Sequence, residues 1–220
     1  MIRDMKRRIR GGCKLALAIL LIFLATVLSM AGQAGTNKPV EIYLGGHPGA
    51  PVKIEVFSDY QCPVCRSYYL ETLKPLMAEY TKANKIDKIS IVYHDFPLET
   101  IHQFARKAVR FGLAAQRLGQ NKWLKVSDAL YTQQAAWAEK GDIETVLEKA
   151  LDPADMSQLK KLVADPAIDT IINQEVALGQ SRAVTSTPTT FIITEAGRQQ
   201  RFTGDPSLPA LRDFIDKLIK

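Results

Sequence analysis

Apolar and β-branched residues crowd into four short stretches of this chain and recur every third or fourth residue through most of what lies between. Pro51–Ser58 (PVKIEVFS) and Lys88–Tyr93 (KISIVY) read as strands, the second ended by His94-Asp95-Phe96-Pro97. Thr189–Thr194 and Gln199–Thr203 read as two more, joined by the turn at Glu195-Ala196-Gly197. Between the first two strands, Tyr69, Leu73, Leu76, Met77 and Tyr80 fall at helical spacing, with Pro75 placed to kink the helix. From residue 100 to about 182 the period is helical throughout. Phe104, Ala108, Phe111 and Ala115 mark one stripe, and Trp123, Val126 and Leu130 a second. Asp142 predicts an N-cap for a helix from Ile143, and Asp165-Pro166 the start of another through Ile168, Ile171, Ile172 and Glu175. A last amphipathic helix carries Leu208, Leu211, Phe214, Ile215 and Leu218.

The order β-α-β, helical block, β-β-α predicts an α/β fold with one mixed central sheet. A strand pair joined through a helix runs parallel, and a pair across a tight turn antiparallel. Strands on both sides of the helical block complete the same sheet. The block at about 100–182 is therefore an all-helical insertion between the second and third core strands, within a domain spanning 51–220. Residues 35–50, rich in Gly and Pro, read as a linker with one edge strand near Val40–Leu44.

The N-terminus follows a different rule. Arg3, Lys6, Arg7, Arg8, Arg10 and Lys14 precede an apolar run, Leu15–Leu28, and then the small-residue segment Ser29-Met30-Ala31-Gly32-Gln33-Ala34. That is the layout of a secretory signal peptide over residues 1–34, cleaved after Ala31 or Ala34. The alternative is an uncleaved inner-membrane anchor formed by residues 15–31, which is at the short limit for a span. Either way the positive end stays in the cytoplasm and the remainder is exported to the periplasm or its equivalent.

Composition changes this picture little. An apolar share of 46% and a charged share of 24% suit a globular domain with a proper core. The net charge of +6 suggests a polyanion partner only until it is located. The first 14 residues hold six cations against Asp4, which is +5 and leaves +1 for everything else. Nucleic acid is not an expected partner.

Of three cysteines, Cys13 lies in the leader, so the exported part has only Cys62 and Cys65. Two cysteines this close staple almost nothing, which argues against a structural framework and against an inert short disulfide. Zinc wants four ligands, and His47, His94 and His102 stand at no ligand spacing from the pair, so no metal is assigned. A copper-binding chaperone using the same two sulfurs remains the rival from another class. His94 as the base of a Cys–His hydrolase is a weaker reading than a strand-end histidine. The setting favours redox chemistry: Gln61-Cys62-Pro63-Val64-Cys65 follows a strand and opens a helix, with Pro63 suited to its first turn. The attacking species in disulfide exchange is a thiolate, which the unpaired N–H groups and dipole of a helix N-terminus stabilise. Cys62 is then an exposed nucleophile, and Cys65, one turn on, a buried resolving thiol.

These residues resemble the thioredoxin superfamily, and most closely its DsbA-like branch. The similarity runs through Val52–Cys65, His94-Asp95-Phe96-Pro97, the helical insertion, and Ser186-Thr187-Pro188-Thr189-Thr190-Phe191-Ile192, nearly all of residues 50–220. The resemblance implies a thioredoxin fold and a thiol–disulfide oxidoreductase without a cofactor. It implies a cis peptide before Pro188 beside the cysteine pair, with Thr187 offering its backbone to a substrate strand. It places an acidic residue beneath the buried cysteine, here Glu55, as a proton relay to Cys65. The dipeptide Pro63-Val64 would tune the potential. A monomeric protein-disulfide oxidase follows, acting on cysteine-containing exported proteins and reset by a quinone-linked membrane oxidase. Thr187 departs from the valine usual in DsbA and keeps a reductase or isomerase as the alternative direction. About 15 residues between the leader and the first core strand are too few for a dimerisation domain.

Overall fold

The computed structural model describes residues 41–219; the leader and Cys13 lie outside them. Five strands form one mixed sheet in the order β1-β3-β2-β4-β5. They are β1 (Ile42–Gly46), β2 (Val52–Ser58), β3 (Ile89–Asp95), β4 (Thr189–Thr194) and β5 (Gln199–Thr203). The central pair, β2 and β3, is parallel, and the β1–β3, β2–β4 and β4–β5 pairs are antiparallel.

The edge strand expected near Val40–Leu44 is β1, which runs Ile42–Gly46 at the margin of the sheet beside β3, ahead of residue 51. Gly46 makes the exit possible: at φ +84, a Cβ there would meet the Ile89 carbonyl oxygen at 2.1 Å. The strand placed at Lys88–Tyr93 continues through His94 and Asp95, which pair in register with Phe57 and Ser58. Polarity suggested an end where the ladder in fact continues.

Pleating gives the sheet two distinct faces. Val52, Ile54, Val56 and Ser58 of β2 share one face with Ile89, Ile91, Tyr93 and Asp95 of β3, and the apolar members of this set join the main core. Lys53, Glu55 and Phe57 share the other with His94 and Phe191, where a second cluster gathers Phe57, Phe96, Val184 and Phe191.

The first face carries α1 (Pro63–Ser67), a π-helical segment (Tyr68–Leu73) and α2 (Lys74–Lys82), which run on as one rod. Pro75 does not simply kink this helix. It lacks the N–H that would bond to the Glu71 carbonyl and would clash there, and the turn before it widens so that Lys74 N–H donates to the Tyr69 carbonyl five residues back. The insertion comprises α3 (Ala105–Arg117), α4 (Gln120–Thr132), α5 (Gln134–Trp137), α6 (Ile143–Leu147), α7 (Pro153–Val163) and α8 (Ala167–Ser181). Ala108, Phe111, Ala115, Trp123, Val126, Leu130 and Trp137 are buried in the main core, with Phe104 packed against it. Asp142 flanks α6 without capping it by its side chain, whereas Asp152 accepts from Asp155 N–H at 2.9 Å and Asp165 from Ala167 N–H at 2.8 Å. Helix α8 covers the second face, where Gly179 comes so close that a Cβ would lie 2.5 Å from the Phe96 ring. The last helix, α9 (Leu208–Leu218), buries Leu211 and Ile215. Among the described residues no helix is long and apolar enough to cross a membrane.

Candidate functional site

Cys62 is the N-cap of α1 and Pro63 occupies its first position, where a missing N–H costs nothing. The two sulfurs are free thiols. Cys62 is drawn from the ordinary thiol value down to about 6, first by the hydrogen bond it accepts from Cys65, and further by the N–H groups of Cys65 and Val64, against the opposing effect of burial. Cys65 moves the other way, pushed well up by burial and by the neighbouring Cys62 charge, while Ser58 supplies a hydrogen bond that counters part of this. One turn of helix thus separates an acidic thiol from a reluctant one.

The expectation of an exposed Cys62 needs correction: it is 6% exposed, against 1% for Cys65. Its cover comes from two sides. The peptide between Thr187 and Pro188 is cis, and Cys62 S–H donates to the Thr187 carbonyl at 3.5 Å. From the insertion, Gln134 Nε2 donates to the carbonyls of Tyr60 (2.7 Å) and Cys62 (3.0 Å). Pro63 and Val64 remain on the surface, Val64 at 41% exposure.

The loop between β2 and α1 is held by residues to which sequence reasoning assigned no role. Asp59 is fully buried and accepts from Gln61 N–H (2.8 Å), Leu98 N–H (2.9 Å) and His102 Nδ1 (2.8 Å). Gln61 accepts from Phe104 N–H and donates to the Ala138 carbonyl, both at 2.7 Å. An Asp two places before the motif is a legible turn signal. Gln134 and His102 carried none, because their partners are remote in sequence.

Glu55 is not beneath Cys65. Strand alternation sends Ser58 toward Cys65 and Glu55 to the opposite face, where Lys53 Nζ lies 2.8 Å away and Arg182 completes the pair. Burial alone would raise its carboxyl, but the hydrogen bonds and charges of Lys53 and Arg182 prevail and hold it below the usual range. A relay to Cys65 through Glu55 is excluded by this geometry. His94, likewise on that face, stacks on Phe57 and binds Glu175 at 2.7 Å. Among the described residues no three His, Cys, Asp or Glu side chains cluster as metal ligands would.

Comparison with known proteins agrees with this architecture. A family model described as thioredoxin matches residues 38–217. A curated relative, the "Probable disulfide bond formation protein D" of Bacillus anthracis, is 23% identical over 179 residues, covering 80% of this chain and 77% of its own. Among solved structures, alpha-DsbA1 of Wolbachia pipientis superposes with a TM-score of 0.69 at 19% identity, over 83% of this chain and 92% of that one. Oxidised BdbD of Bacillus subtilis superposes at 0.65 with 14% identity, over 81% and 92%.

Proposed function

This chain belongs to the thioredoxin family, and from that membership we propose that it is an exported thiol–disulfide oxidoreductase working through Cys62 and Cys65, with oxidation of protein thiols as its direction. The observation that carries the reading is the opposed setting of the two thiols, Cys62 drawn down to about 6 and Cys65 pushed well up. In the oxidising direction a substrate thiolate attacks Cys62 Sγ of the enzyme disulfide. The Cys62–Cys65 bond breaks, a Cys62–substrate bond forms, and the electron pair leaves on Cys65. A second substrate thiolate then attacks the substrate sulfur, closes the product disulfide and releases the Cys62 thiolate. No cofactor enters this cycle.

Oxidation is favoured by whatever stabilises the reduced form. At pH 7 a thiol lowered to about 6 contributes about 1.4 kcal/mol to the reduced protein, or about 30 mV toward the oxidising side. The sign agrees with the name of the Bacillus relative, a disulfide bond formation protein. Thr187 is the residue that favours a reductase or isomerase instead. The substrates proposed are exported proteins with pairs of cysteines, meeting the Thr187 backbone beside Pro188, with Pro63 and Val64 at the surface between. A leader over residues 1–34 delivers the chain, which acts as a monomer and is reoxidised by a quinone-linked membrane partner.

The reduction potential of the Cys62–Cys65 couple, equilibrated against glutathione, tests the direction. A value well above the roughly −270 mV of thioredoxin, toward the roughly −120 mV of DsbA, is expected. A value at or below that of thioredoxin overturns the oxidase and leaves a reductase. Stoichiometric, tightly held copper on the reduced protein would overturn redox exchange in favour of a metal chaperone.

A further inference from the structure

Gln134 opens α5 and reaches out of the insertion into the loop that carries Cys62. It is 6% exposed, and its Nε2 donates to the Tyr60 carbonyl at 2.7 Å and to the Cys62 carbonyl at 3.0 Å. Both N–H groups of the side-chain amide are thereby used. Among the described residues no other side chain donates to either oxygen; the Cys62 carbonyl also accepts from Arg66 N–H at 3.1 Å. The grip is returned from the cysteine helix, where Arg66 Nε donates to the Tyr131 carbonyl at 3.1 Å. Trp137 Nε1 donates to the neighbouring Leu130 carbonyl at 2.8 Å. The corner between α4 and α5 is thus fastened to α1, and Gln134 sits on that corner.

Resting on the exchange chemistry proposed above, we propose that Gln134 is a positioning residue for the nucleophile. It holds the carbonyl oxygens of Tyr60 and Cys62 on the insertion side of the loop and lays its own N–H dipoles against them. Thiolates are favoured where N–H groups face the sulfur, and a carbonyl oxygen turned toward it has the opposite effect. The peptide joining Cys62 to Pro63 has no N–H, so its carbonyl is its only polar atom, and Gln134 fixes where that atom lies. The peptide joining Tyr60 to Gln61 is fixed at both ends, its N–H by Asp59 at 2.8 Å and its oxygen by Gln134. With both oxygens engaged there, the N–H groups of Val64 and Cys65 are left to receive the charge.

In the oxidising direction that charge arrives when the second substrate thiolate takes the substrate sulfur and the electron pair of the mixed disulfide leaves on Cys62. In reverse, the same thiolate makes the attack. The hydrogen bonds of Gln134 go to backbone and not to sulfur, so its effect passes through the loop. The insertion therefore does more than cover the site: through one amide it sets how well the nucleophile holds its charge.

Q134M keeps the length of the side chain and removes both donors. Q61M cuts the other side-chain tie between loop and insertion, Gln61 to Phe104 N–H and to the Ala138 carbonyl, and leaves the two oxygens engaged. The thiolate absorbance of the reduced proteins is followed across pH, and their stability is read in urea. Q134M is expected to raise the Cys62 midpoint by roughly half a pH unit, the size of one dipole's effect on a nearby charge. The reduction potential should fall with it. Q61M is expected to lose stability with the Cys62 midpoint unmoved. An unmoved midpoint in Q134M overturns the proposal, as does an equal rise in Q61M, which would report a loosened loop and no special part for Gln134. The wild type supplies a reading that does not depend on a variant folding. The Gln134 side-chain amide signals in a nitrogen–proton correlation spectrum should shift with the Cys62 midpoint, and signals that ignore it overturn the role. Wild-type protein that does not react with oxidised glutathione overturns the exchange function, and this role with it.

Discussion

At the scale of single residues, the site is decided by which sulfur can hold a negative charge. Cys62 has helix N–H groups and a neighbouring thiol to receive it, whereas burial and the neighbouring Cys62 keep the charge off Cys65. The thiolate absorbance of the reduced protein is expected to rise with a midpoint near pH 6 and to lose that phase in C62S. A midpoint near the ordinary value of about 8.5 would refute the thiolate setting. Stability follows the same sign. A folded value held below the unfolded one stabilises the reduced fold above the unfolded value and loses that effect as pH falls through about 6. Reduced wild-type protein should therefore gain on C62S in urea midpoint as pH rises from about 6 toward 9, the gain reaching about 1.4 kcal/mol at pH 7.

Whole elements impose the faces on which residues act. Glu55 shows the cost of reading position along a strand without its pleat: three residues before Ser58 is an odd step, and an odd step crosses the sheet. Its partner Arg182, at the end of α8, also lies over the Phe191 ring, 3.9 Å from its centroid. R182A should cost about 1–3 kcal/mol, because Glu55 loses one of its two close cationic partners, keeping Lys53, and the ring contact is lost. The exchange rate should stay within about twofold of wild type, since the sheet separates Glu55 from Cys65; a larger kinetic loss would contradict that separation. The core strands β2 to β5 and the last helix were legible because each is a local pattern of period two or near four. The cysteine pair was legible because motif and helix start coincide. His94 and Asp95 were missed as strand residues because they are polar and their ladder partners, Phe57 and Ser58 on the neighbouring strand, are remote in sequence. The contact of the Tyr131 hydroxyl with Ser58 was invisible because one tyrosine in a helical stripe looks like any other core aromatic.

For the molecule as a whole, the insertion is an addition in sequence but not in packing. Trp123, Leu130 and Tyr131 share one buried cluster with Val56, Tyr60 and Tyr93 of the sheet side, and Gln134 and His102 grip the loop before Cys62. Unfolding is expected as one transition, coincident by far-ultraviolet and near-ultraviolet circular dichroism. Two separated transitions would mean that the insertion stands on its own.

The pairing of Val52 with Thr194 has a further consequence, in time rather than in space. A chain made from its N-terminus presents β2 and the cysteines early, but the strand that completes the centre of the sheet, and the Pro188 turn that covers Cys62, come only with the last fifth of the protein. Under the export proposed above, both thiols stand uncovered throughout that interval where disulfides form. The hazard is small because of arithmetic: after Cys13 the sequence holds only Cys62 and Cys65, so the only internal bond that part of the unfinished chain can make is the one its proposed chemistry uses.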